Sequence, residues 1–212
     1  MKKDNPGKNY AGHSRKESYY GVGSFIVEVV KVFLWALVII VPIRVFLFQP
    51  FFVQGASMET SFEDGEYLII NELGYKKTDV GFDKIHFFSI RPFKELKRGD
   101  VIVFRYPKNH QQYFIKRVIG LPGEKIAIEN GEVLIYNARN PGGSILDESE
   151  YLASGVKTAG SVVLQLGGDE YFVLGDNRSS SHDSRSWGPL KSDEVIGKVI
   201  LRAWPLEKAS VF

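Results

Sequence analysis

The 212-residue chain contains no cysteine, so disulfides, thiolate nucleophiles and cysteine-based zinc sites have no place in its chemistry. Its four histidines, His13, His86, His110 and His182, are scattered without the HExxH pattern or any comparable ligand spacing. Neither a metal site nor a cofactor is expected. An excess of charge of one sign is missing too. Lys and Arg number 27 against 25 Asp and Glu, a formal net charge of +2, which is not the strongly basic balance of a nucleic-acid binder. Internal repeats are absent, and the length suits one ordinary domain plus a tether rather than two large domains.

What the sequence does hold is one long apolar run. Val29 to Phe48 gives about 20 predominantly apolar residues, enough for a helix rising 1.5 Å per residue to cross a hydrocarbon core about 30 Å thick. Lys31 and Arg44 lie near its ends, where long side chains reach the headgroups, and Pro42 need only kink a lipid-embedded helix. A buried core helix is one alternative. A cleaved secretory signal is another, because the small residues Gly55, Ala56 and Ser57 follow the run. The run is longer than the usual apolar segment of a signal, and a retained anchor over 25–48 is the expectation. Residues 1–24 are polar and carry Lys2, Lys3, Lys8, Arg15 and Lys16, whereas no basic residue falls between Arg44 and Lys76. The positive-inside rule then puts the tail in the cytoplasm and the remainder beyond the membrane. In a bacterium this describes a single-pass protein of the inner membrane with an extracytoplasmic domain.

Past Pro50 the period becomes strand-like. EYLIINE (66–72), DVIVFRY (100–106), YFIKRVIG (113–120), EYFVLG (170–175) and Val195–Trp204 are β-branched or aromatic runs bounded by turn residues. KIAIE and EVLIY flank Asn130-Gly131, two residues tolerant of positive φ, and should close as a hairpin. Residues 137–161, rich in Gly, Ser, Asn and Asp, read as a long surface excursion. The expected fold class is therefore mostly β: an antiparallel or mixed sheet domain over 49–212, with a smaller hairpin-and-loop insertion over 124–170.

Three segments could carry chemistry. In GASMETSFEDGEYL (55–68), Gly55 and Ala56 permit close backbone approach before Ser57, although a serine after glycine also suits a tight turn. In QYFIKRVIGLPGE (112–124), strand alternation puts Phe114, Lys116 and Val118 on one face and Tyr113, Ile115, Arg117 and Ile119 on the other. If the first face is buried, desolvation lowers the Lys116 pKa and yields an amine able to accept a hydroxyl proton. If it is not, Lys116 is an exposed edge-strand lysine, and the pattern leaves both readings open. In GDNRSSSHDSRSWGPL (175–190), Ser181, Asp183 and Arg185 alternate. An extended segment would pair Asp183 with Arg185 and leave Ser181 free, but the composition equally fits a solvated loop of Asx and Ser turns. A Ser-His arrangement through His182 and Asp183 is disfavoured, because neighbours in an extended segment point apart.

Taken in order after an apolar anchor, RVFLFQPFFVQGASM, LKRGDVIVFRYP, FIKRVIGLPGE and GDNRSSSHDSRSWGPL resemble the motif boxes of the type I signal peptidases. The resemblance covers residues 40–134 and 168–205. It implies a membrane-anchored serine endopeptidase that removes N-terminal signal peptides from exported preproteins, with small residues such as Ala at −1 and −3 before the cut. Its partners would be those signal peptides and membrane lipid, with no nucleic acid and no cofactor. By the same resemblance Ser57 attacks the scissile carbonyl, Lys116 takes its proton, and an acyl-enzyme is hydrolysed by water. Ser181 would orient the lysine amine, Asp183 and Arg185 would support the site, Asp176 would pair with Arg117, and the Ser57 N–H would be an oxyanion donor. Two positions depart from the family. Gly55 stands where some members carry an extra hydroxyl, and Thr60 stands where Ser-Met-x-Pro-Thr has proline. These departures motivate the alternative of a weakly active or non-catalytic homologue that binds signal peptides or a membrane partner. Residues 78–97, with Phe82, Phe87, Phe88 and Phe93, match the family poorly and read as a membrane-contacting loop or as core aromatics.

Overall fold

In the computed structural model, residues 21–46, 48–76, 78–82, 85–90 and 94–212 are described. The tail residues Lys2, Lys3, Lys8, Arg15 and Lys16 lie outside them, as do Phe93 and the side chains of Phe82, Phe87 and Phe88. The apolar run forms helix α1 (Val22–Phe46), 25 residues and about 37 Å long. It starts before Val29, because Phe25, Ile26 and Val27 extend the apolar run past Glu28, whose carboxylate pairs with Lys31 at 3.0 Å. Phe25, Val32, Phe33 and Trp35 are all more than half exposed. A helix apolar all round that buries almost nothing within its own chain suits a lipid environment. Contacts divide the chain after Val41, and the unit from Pro42 onward holds the sheets.

The strands are β1 (Phe48–Phe52), β2 (Tyr67–Asn71), β3 (Thr78–Phe82), β4 (Ile85–Ile90), β5 (Val101–Tyr106), β6 (Asn109–Gly120), β7 (Lys125–Glu129), β8 (Glu132–Tyr136), β9 (Ser144–Ile145), β10 (Val162–Gln165), β11 (Glu170–Leu174), β12 (Leu190–Lys191), β13 (Val195–Trp204) and β14 (Ser210–Val211). A single-turn helix, α2 (Ser184–Trp187), lies between β11 and β12. The main sheet runs β1-β2-β13-β5-β6-β11-β12, with β14 added to β13, and the insertion forms a second sheet, β10-β7-β8-β9. Every described pairing is antiparallel. Phe48 belongs to β1 rather than to the anchor, and Pro50 is tolerated there because β1 is the first strand of the sheet order. The hairpin turns where Asn130-Gly131 directs it, with φ of 54° and 86° and Glu129 opposite Glu132. Residues 78–82 and 85–90 pair as the antiparallel strands β3 and β4, whereas the sequence over 78–97 reads as a membrane-contacting loop or as core aromatics.

Strand β6 is the spine of the unit from Pro42 onward. Ile115 packs against a cluster of Val53, Met58, Phe62, Leu68 and Ile70. Phe114 and Val118 join Ile102, Phe104, Val173 and Trp187. Ile119 reaches a third cluster with Ile126, Ile128, Phe172 and Leu174, which joins the insertion to the main sheet. Any polar group carried midway along β6 is therefore held among packed apolar side chains.

Candidate active site

Residues 53–66 connect β1 to β2 through a series of turns. Gly55 sits at φ +88°, and its N–H donates to Asp64 Oδ1 at 2.7 Å. A serine here would be strained at that φ, so the family hydroxyl absent at Gly55 is traded for the turn itself. Met58 and Phe62 are fully buried and pin the turn to the core, with the Phe62 N–H donating to the Met58 carbonyl at 2.8 Å. Ser57 immediately precedes Met58. Its carbonyl accepts from the Asn177 N–H at 3.1 Å, and Asn177 Nδ2 donates to the Ala56 carbonyl at 3.0 Å. Among the described residues, no acceptor takes the Ser57 N–H.

Lys116 is 4% exposed, which resolves the two readings of its strand face in favour of the buried one. Its Nζ lies 2.7 Å from Ser57 Oγ and donates to the Ile115 carbonyl at 2.8 Å, with the Phe114 ring centroid 5.4 Å away. Burial lowers its pKa to about 8, against the opposing pull of the Asp183 and Asp176 charges. Neighbouring Arg117 is directed away and grips Asp176 through two bonds, Nε to Oδ1 at 2.8 Å and Nη2 to Oδ2 at 2.6 Å. It also donates to the Gly99 carbonyl at 2.8 Å and to Ser61 Oγ at 3.2 Å.

The third segment is not extended. Asp183 is the N-cap of α2, and its Oδ1 accepts from the Arg185 N–H at 3.2 Å. The Asp183–Arg185 pair exists, but it forms because the helical turn folds the guanidinium back, with Nε to Oδ1 and Nη2 to Oδ2 both at 2.8 Å. Burial alone would raise the Asp183 pKa; the Arg185 hydrogen bonds and charge, with Ser181 and the Gly175 N–H, together outweigh it and hold the carboxyl below its usual range. Ser181 departs from the expected role. Lys116 Nζ is bonded to Ser57 and Ile115, whereas the buried Ser181 Oγ completes no hydrogen bond among the described residues, though it lies near enough to Asp183 to favour that charge. It presses instead on Gly175, where a Cβ would collide with Ser181 Oγ and the Ser57 carbonyl. His182 is exposed, its Nε2 lies 3.0 Å from the Tyr106 hydroxyl, and both Asp183 oxygens are engaged by Arg185, so no His-Asp pairing forms.

Thr60 adopts φ +81°. Proline holds φ near −65°, so this turn is one that the family proline could not make. Sequence reasoning also missed a set of groups behind the site. Arg178, 2% exposed, forms a bidentate pair with Glu148 and donates to Thr158 Oγ1 and, at 3.0 Å, to the Gly175 carbonyl. Nothing local in residues 137–161 announces these partners. In front of Ser57 and Lys116 opens a cleft of about 740 Å³ whose walls include Phe51, Val53, Leu68, Ile115 and Gln112.

A serine hydroxyl against a buried lysine amine, carried by an antiparallel sheet and beside an apolar cleft, defines a hydrolase of the serine class. Residues 26–204 match the family model described as "Signal peptidase, peptidase S26", and the chain belongs to that family. It is similar to a signal peptidase I of Bacillus caldolyticus, 34% identical over 180 residues that span 82% of this chain and 88% of that one. A probable signal peptidase I-2 of Synechocystis is 29% identical across 87% of this chain and 76% of its own. A signal peptidase I from Enterococcus faecalis of known structure is 31% identical, with a TM-score of 0.40, and covers 50% of this chain and 97% of its own. Family membership makes the chain a serine peptidase that removes signal peptides.

Proposed function

We propose that Ser57 is the nucleophile and Lys116 the general base of this reaction. The observation that carries the proposal is the 2.7 Å contact between Lys116 Nζ and Ser57 Oγ, made by a lysine whose pKa burial has brought to about 8. A neutral amine accepts the Ser57 proton as Oγ bonds to the scissile carbonyl carbon. The resulting ammonium then gives that proton to the departing amine, and the peptide bond breaks to leave an ester on Ser57. Water, deprotonated by the same amine, hydrolyses the ester. The unengaged Ser57 N–H supplies an oxyanion donor. Asp176–Arg117 and Asp183–Arg185 hold the strand and loop around Lys116. Ser181, whose Oγ lies beside Gly175 and close to the Asp183 carboxylate, supports the Asp183–Arg185 pair rather than the amine.

The substrates are exported preproteins with small residues before the cut, presented by signal peptides at a lipid surface. Helix α1 anchors the enzyme in the inner membrane, with the basic tail cytoplasmic and the catalytic unit outside. The decisive experiment incubates the full chain in detergent with a preprotein carrying Ala-x-Ala, alongside an acylating penem probe. Cleavage and labelling of Ser57 are expected for the wild type, and both should vanish in Ser57→Ala and Lys116→Ala. Full activity in either variant would sink the assignment, while binding without cleavage or labelling would favour a non-catalytic homologue.

A further inference from the structure

Residues 137–161 have the composition of a surface excursion, and most of their side chains are exposed. Tyr151 breaks that pattern, because it touches both halves of the catalytic apparatus. Its backbone carbonyl accepts from Thr60 Oγ1 at 3.4 Å, three residues beyond Ser57. Its ring covers the Arg117 guanidinium at 4.1 Å from the centroid, and that guanidinium grips Asp176 and Ser61 Oγ. Its hydroxyl donates to Glu148 Oε1 at 2.8 Å, and Glu148 holds the buried Arg178, whose Nε donates to the Gly175 carbonyl. Burial, reinforced by the Glu148 charge, raises the Tyr151 pKa, so the phenol stays a donor throughout the physiological range. Arg185 adds a parallel link by donating to the carbonyls of Ala159 and Arg178.

We infer that Tyr151 is a positioning residue for this peptidase, tying the insertion to the nucleophile turn on one side and to the 175–185 loop on the other. The turn needs such a tie. Thr60 holds a positive φ where the family uses proline, so the conformation that presents Ser57 must be fixed by its surroundings rather than by a ring. Misplacing a nucleophile by even 1 Å can cost about a hundredfold in rate, which gives one tyrosine leverage over the chemistry without touching substrate. The inference rests on the Ser57–Lys116 reading, but part of its test does not depend on cleavage.

The test compares full-length wild type, Tyr151→Ala, Tyr151→Phe and Glu148→Gln, with Ile145→Ala as a control at an exposed site of the same excursion. Tyr151→Ala should lower kcat for preprotein cleavage by about tenfold or more while KM stays within about threefold. Tyr151→Phe, which keeps the ring over Arg117 and the backbone carbonyl, should restore most of the rate. Glu148→Gln should fall between them, and Ile145→Ala should match wild type. Hydrogen exchange should rise in Tyr151→Ala at both 57–61 and 175–183. Exchange that rises only within 137–161, with kcat intact, overturns the inference. If Tyr151→Ala does not fold, Glu148→Gln decides by the same criteria. Should wild type neither cleave nor label, the dyad reading fails by itself and the exchange data still decide the role of Tyr151.

Discussion

At the scale of single residues, Lys116 is functional because it is uncomfortable. With a pKa of about 8, only about a tenth of it is neutral at pH 7, so kcat/KM should rise nearly tenfold per pH unit below 8 and level off above it. A pH profile of preprotein cleavage checks this, and a profile flat from pH 6 to 9 would remove Lys116 as the base. The same shift has a cost in stability with a definite sign. Below pH 8 the folded and unfolded chains both carry the proton, and the full penalty, roughly 3 kcal/mol, applies. Between about 8 and 10.5 the unfolded state binds more protons than the folded one, so stability rises with pH through that window. Lys116→Met fills the same space without the charge. At pH 7 it should abolish cleavage while raising unfolding stability by about 1–3 kcal/mol, measurable by denaturant titration.

At the scale of elements, the turn from Gly55 to Phe62 shows how a family motif can be kept while its local chemistry changes. A β-branched residue at φ +81° stores on the order of 1–3 kcal/mol of strain. Thr60→Gly relieves that strain but gives up the bond to Tyr151 and adds unfolded-chain entropy, so it should stabilise by at most about 1 kcal/mol. Thr60→Pro cannot reach the observed φ and should destabilise by more than about 2 kcal/mol, with slower penem labelling of Ser57. Denaturant midpoints for the two variants should move in opposite directions. A proline variant as stable as wild type would show that the turn readily takes the relatives' conformation.

This scale also explains what could be read in advance. Strands with alternating or fully buried patterns, β2, β5, β11 and β13, declare themselves, and Asn130-Gly131 fixes its hairpin by backbone preference alone. Strand β1 was hidden because its aromatic residues continue the apolar run of the anchor and Pro50 interrupts them. Helix α2 was hidden because one turn has no period, and its start depends on Asp183 acting as a cap. Ser57 and Lys116 were legible through motif and strand face together. Glu148–Arg178 was not, because partners 30 residues apart leave no local signature in the chain.

For the whole molecule, the uneven distribution of basic residues and the missing cysteines combine into a direct test of orientation. The basic residues of the tail all precede α1, and the unit that begins at Pro42 contains Ser57, Lys116 and every sheet among the described residues. If α1 is retained as an anchor, as proposed, tail and catalytic unit should lie on opposite sides of a bilayer, with the side of each expected from the positive-inside rule. Because the native chain has no thiol, a single introduced cysteine reports its own location without background. Lys8→Cys marks the tail, and Arg139→Cys marks an exposed position in the insertion. In intact bacterial cells a membrane-impermeant maleimide should label Arg139→Cys and spare Lys8→Cys until the membrane is permeabilised. Labelling of both in intact cells would mean that the tail is translocated, and labelling of the tail alone would invert the topology. The inverted outcome would place the catalytic unit where an emerging signal peptide could not reach it, and a translocated tail would remove the membrane-spanning tether that the proposal requires.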